Sequence, residues 1–132
     1  MSKIVALSEA ASIGLHSMVL IAQSNEKLNV TQIAEQILSS RHHVAKVLQR
    51  LAKNEFISSN RGPSGGFILN KNPEEITLLD IYEAIEGKFQ VQDCPGNKSK
   101  CPFASCIFGD LSQRVSREIL DYLSNKRLSD YL

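Results

Sequence analysis

The sequence predicts a mainly α fold with a small β-hairpin wing: a winged helix-turn-helix followed by a long C-terminal dimerisation helix. Three observations predict it. Residues 41–53 combine a full apolar stripe with a basic outer face. A glycine-rich turn joining two short apolar runs follows closely, at residues 56–69. Apolar residues then recur at roughly four-residue spacing from Ile107 to Tyr122.

The first helix is expected over residues 9–22, with Ser8 as its cap and Ile13, Met18, Leu20 and Ile21 facing the core. Asn25–Asn29 is a polar turn. A short helix is expected at about Thr31–Leu38, with Thr31 as cap and Ile33, Ala34 and Ile37 on one face. Ser39-Ser40 makes a turn and a fresh cap. In the helix that follows, Val44, Val47, Leu48 and Leu51 fall at i, i+3, i+4 and i+7. Its opposite face carries Arg41, His42, Ala45, Lys46, Gln49 and Lys53. A short helix, a tight turn and a helix of this kind make a helix-turn-helix.

Phe56–Arg61 and Phe67–Leu69 read as two strands around the loop Gly62-Pro63-Ser64-Gly65-Gly66, a hairpin wing. The glycines permit positive φ and close backbone approach to a phosphate, and Arg61 supplies charge. Thr77-Leu78-Leu79-Asp80 reads as a capping box opening a helix over Leu78–Glu86, which Gly87 ends. The final helix, about 20 residues long by its periodicity, is more apolar than so small a core requires. A matching helix of a second copy is its expected partner.

Composition is that of a globular domain: 42% hydrophobic, 22% charged and a net charge of +1. The charge is uneven, since residues 41–61 hold five Lys and Arg against one carboxylate. A local basic face on a near-neutral chain suits groove-specific DNA binding. Arg41, His42 and Lys46 lie at the N-terminal end of the reading helix and are the candidates for base edges or phosphates. No phosphate-binding loop, paired carboxylates with a base, or His-x-x-x-His pair points to an enzyme, and no small-molecule substrate is expected. Nothing resembles a signal peptide or a membrane span, so the expected compartment is the cytoplasm.

All three cysteines lie in one stretch, Cys94, Cys101 and Cys106, spaced C-x6-C-x4-C. In a reducing compartment such thiols are metal ligands or redox groups rather than structural disulfides. Zinc and iron–sulfur clusters both take thiolates on a loop, and either would need a fourth ligand. Pro95 and Pro102 keep the segment out of helix. Cys106 is expected near the start of the last helix, whose dipole would favour thiolate. A metal-free thiol switch and a zinc-dependent interaction module without a DNA role remain alternatives.

These segments together resemble the Rrf2 family of bacterial winged-helix transcription regulators, a group that includes iron–sulfur sensors. The resemblance rests on Ser40–Leu48, on Arg61-Gly62-Pro63-Ser64-Gly65-Gly66-Phe67 with Leu69, and on the cysteine loop before a long helix. It implies a homodimer gripping a palindromic operator in double-stranded DNA. It also implies a [2Fe–2S] or [4Fe–4S] cluster on Cys94, Cys101 and Cys106. Ser40, Arg41, His42, His43, Lys46, Arg50, Arg61, Gly62, Ser64, Gly65 and Gly66 would face DNA. For the fourth ligand Glu9 ranks first, Asp110 second and His16 third. The implied organisation is a DNA-binding domain over 1–87, a sensor loop over 88–106, and a dimerisation helix with tail over 107–132. Regulation by thiol redox state or a protein partner is the alternative within the same fold.

Overall fold

The computed structural model describes residues 5–60, 65–96 and 99–132. Helix α1 spans Glu9–Gln23, and Ser8 caps it by accepting the Ala11 amide. Helix α2 spans Val30–Ile37 and α3 spans Arg41–Lys53. Strands β1 (Ile57–Asn60) and β2 (Gly66–Leu69) pair antiparallel, with Ile57 opposite Leu69 and Asn60 opposite Gly66. A 3-10 turn at Pro73–Glu75 precedes α4, Leu78–Glu86. Helix α5 spans Leu111–Asn125, and a last 3-10 turn covers Leu128–Tyr131.

The cap expected at Thr31 is instead Asn29. Its carboxamide accepts the Gln32 amide at 2.8 Å, while the Gln32 side chain accepts the Asn29 amide at 2.9 Å. This reciprocal box satisfies two otherwise orphaned donors, which a threonine inside the first turn cannot do. The box expected at Thr77 and Asp80 is present, and Gly87 ends α4 at φ +86°.

The last helix is shorter than its periodicity suggests, 15 residues rather than about 20. It begins at Leu111, because Gly109 takes φ +59° and the backbone turns through Cys106–Asp110. Cys106 therefore lies five residues before the helix, beyond the reach of its first-turn dipole.

One core joins α1, α3 and α4: Ile13, Met18, Val44, Leu48, Leu51, Ile81 and Ile85 are buried together. Leu123 from α5 and Leu128 from the final turn enter the same core. The tail is bound by backbone as well. The Leu78 amide donates to the Lys126 carbonyl and the Leu128 amide to the Ile76 carbonyl, both at 2.9 Å. Leu28 forms a further backbone bridge, with Phe67 of β2, which seats the hairpin against the α1–α2 loop.

Candidate nucleic-acid interface and thiol loop

The reading helix is held from behind and open in front. Val44, Val47, Leu48 and Leu51 are buried, as the stripe predicts. Arg41, His42, His43, Lys46, Gln49 and Lys53 are exposed. Ser40 caps the helix by accepting the His43 amide at 3.1 Å, so its hydroxyl is already engaged. A helix face that is cationic and exposed at its N-terminal end, as Arg41, His42 and Lys46 make it, is the geometry that enters a major groove.

Two DNA candidates are tied into the fold. The Arg50 guanidinium donates to the Ile85 carbonyl of α4 and holds α3 against that helix. The ring Nδ1 of His43 lies 3.3 Å from Glu9 Oε1. Glu9 itself, expected as a fourth metal ligand, thus pairs within its own subunit with the reading helix.

The wing divides between described and undescribed residues. Arg61, Gly62 and Ser64 lie outside the described residues. Gly65 is half-buried and Gly66 is buried. A Cβ on Gly66 would stand 2.8 Å from the Leu28 carbonyl oxygen and 3.0 Å from Lys27 Cβ. The close approach that Gly66 permits is therefore to the protein's own backbone rather than to a phosphate.

The thiols share one loop. Cys101 and Cys106 are exposed and Cys94 is half-buried. Among the described residues, no three His, Cys, Asp or Glu side chains stand close enough to hold a metal ion. The donor set still suits an iron–sulfur cluster in kind: three soft thiol ligands within thirteen residues of sequence. The N-terminal stem of the loop is anchored twice. The Phe89 amide donates to Glu83 Oε2 of α4, and the Gln92 amide to the buried Ser116 hydroxyl of α5. Ser8 donates to Glu86, which joins the start of α1 to the end of α4 where the loop departs. The other ranked ligands are engaged locally: Asp110 accepts from Arg114 Nε at 3.0 Å, and His16 Nδ1 lies 2.7 Å from the Ser12 carbonyl.

An apolar face runs beside the loop. Phe103, Ile107, Phe108, Leu111 and Tyr122 are all exposed, as are Val5 and Leu7. The periodic residues of the last helix thus divide: Leu111 and Tyr122 face outward, Val115 is half-buried, and Ile119 packs against this subunit's own core.

Sequence reasoning missed Leu38. It caps the C-terminus of α2 at φ +57° and is 91% exposed. A leucine immediately before the Ser-Ser turn, where a left-handed residue is needed, is the clue the sequence held.

Comparison with known proteins gives a consistent result. A family model, Rrf2, described as an iron-dependent transcriptional regulator, matches residues 7–132. The chain is 31% identical over 129 residues to the HTH-type transcriptional regulator NsrR of Bacillus licheniformis, covering 96% of this chain and 82% of that protein. It is 30% identical over 101 residues to the HTH-type transcriptional regulator IscR of Pectobacterium atrosepticum, covering 76% and 62%. Among solved structures it resembles CymR, the global cysteine regulator of B. subtilis. The TM-score is 0.77 at 23% identity, over 96% of this chain and 95% of that one, a likeness of fold.

Proposed function

This chain belongs to the Rrf2 family of transcriptional regulators, and from that membership we propose a homodimer whose affinity for a palindromic operator is set by an iron–sulfur cluster on Cys94, Cys101 and Cys106. Rrf2 proteins are DNA-binding regulators, not enzymes. In this reading residues 1–87 bind DNA, 88–106 sense, and 107–132 dimerise and close the core. Arg41, His42 and Lys46 reach bases or phosphates, His43 and Lys53 flank them, and Arg50 keeps α3 in place. Arg61, Gly62, Ser64 and Gly65 would contact the DNA backbone.

The carrying observation is the anchoring of the thiol loop. Its stem is hydrogen-bonded to α4 and α5, and α4 in turn is bonded to α1 and α3. When bound, an iron–sulfur cluster supplies a redox-sensitive cross-link between the three thiols. Cys94, Cys101 and Cys106 would then be held together, and the stem at Phe89 and Gln92 would pass that constraint to α4 and α5. Because α5 carries the exposed apolar face, its setting fixes how far apart the two reading helices stand. Half-sites are separated by about one helical turn, roughly 34–36 Å, so a small change in spacing alters affinity strongly. Glu9 completes the ligand set from a second subunit only if its contact with His43 opens.

Anaerobic purification with iron and sulfide assays tests the reading. Iron and sulfide in matching amounts are expected, together with their loss in Cys101→Ala while the dimer persists. A Cys101→Ala protein that binds iron normally would refute the ligand assignment. The exposure of Cys101 and Cys106 favours one second reading, a metal-free thiol switch. It predicts a colourless protein whose DNA binding follows reductant alone.

A further inference from the structure

Leu38 has no task in the folded subunit. Its side chain is 91% exposed, while its neighbour Ile37 is turned inward and half-buried. It stands at the edge of a shallow apolar groove between α1 and α2 without filling it. Its backbone is left-handed, φ +57° and ψ +45°, a region that disfavours residues carrying a Cβ. Glycine or asparagine would make this turn with less strain. The turn needs only the backbone, in which the Leu38 amide donates to the Ala34 carbonyl.

Glu55 is also left-handed, at φ +66°. That residue is polar and lies beyond the C-terminal end of α3. Leu38 is apolar and lies two residues before Ser40, the cap of the reading helix. This is the end of a helix-turn-helix that meets base edges. Chemistry then narrows what Leu38 can touch. A leucine has no donor or charge for a phosphate. The apolar group on a major-groove base edge is the C5 methyl of thymine.

We propose that Leu38 is a specificity-determining residue that packs against a thymine methyl in each operator half-site. The inference rests on the DNA-reading role of α3 proposed above. It adds a contact from the turn itself, next to the polar contacts of Arg41 and His42. Burying one methyl group between leucine and thymine corresponds to about fourfold in affinity per half-site.

The test begins with duplexes selected from a randomised 30-bp library by the purified dimer. Failure to enrich any sequence would overturn the DNA-reading role of α3, and this inference with it. With an enriched duplex in hand, each thymine is replaced by uracil, which removes only the methyl. Wild type is expected to lose about fourfold at one thymine position per half-site. Leu38→Gly and Leu38→Asn are expected to bind the thymine and uracil duplexes equally, and Leu38→Met to restore the difference. Melting temperatures of Leu38→Gly and Leu38→Asn are expected not to fall, since the left-handed turn suits both. Three results would overturn the assignment. Binding of the selected duplex by Leu38→Gly as tightly as by wild type would turn the residue toward a protein partner. The same uracil penalty in both proteins would place the methyl contact elsewhere. A lower melting temperature for both variants would make Leu38 a structural residue.

Discussion

Replacing Gly66 with alanine isolates the seam between wing and body. The added Cβ would meet the Leu28 carbonyl oxygen at 2.8 Å and its carbon at 2.9 Å, both backbone atoms. Relief therefore needs several tenths of an ångström of main-chain movement. The displaced carbonyl accepts the Phe67 amide at 2.8 Å, and the return bond from the Leu28 amide is already long at 3.4 Å. Forced overpacking costs about 1–3 kcal/mol, and each weakened hydrogen bond about 1 kcal/mol more. Alanine returns about 0.4–1 kcal/mol by restricting the unfolded chain. The net expectation is a loss of about 1–3 kcal/mol, or roughly 4–12 °C in melting temperature for a domain of this size. Thermal and urea denaturation at matched protein concentration measure it, since dimerisation makes melting concentration-dependent. A Gly66→Ala protein melting within about 2 °C of wild type would refute the claim that this seam is rigid.

Three further outcomes follow from the packing and the caps. Leu128→Ala should cost about 2–5 kcal/mol in urea, because a fully buried side chain leaves a cavity where the tail meets the core. Asn29→Ala should cost about 1 kcal/mol by removing half of the capping box, whereas Thr31→Ala should stay within about 0.5 kcal/mol; equal losses would restore Thr31 as the cap. Lys46→Ala should weaken binding to all duplexes by a similar factor. It should also flatten the salt dependence by about one unit for the phosphate that Lys46 neutralises, whereas a change confined to one base position would make Lys46 a base reader.

Much of the site was legible in the sequence because helices advertise their faces locally. The stripe Val44, Val47, Leu48 and Leu51 fixes which side of α3 is buried, and so leaves Arg41, His42 and Lys46 outside. Ser8, Ser40, Thr77 and Gly87 mark ends through bonds that span three or four residues, so pattern alone finds them. Asn29 escapes such a reading because asparagine in a polar turn and asparagine at a cap look alike until Gln32 folds back on it. The start of α5 escapes it because the apolar spacing continues through Ile107 and Phe108, although Gly109 breaks the helix.

The sequence by itself determined the order of elements, the buried face of the reading helix, the cation cluster on its other face and the grouping of three thiols on one loop. These depend on neighbours within a few residues. Only the tertiary structure decided that Gly66 serves Leu28, that Arg50 is bound to Ile85 and Glu9 to His43, and that Leu128 closes a core begun at Ile13. Each joins groups from 34 to 115 residues apart in sequence. Such contacts form because a shared core draws distant segments together, and no local period records which partner each will meet.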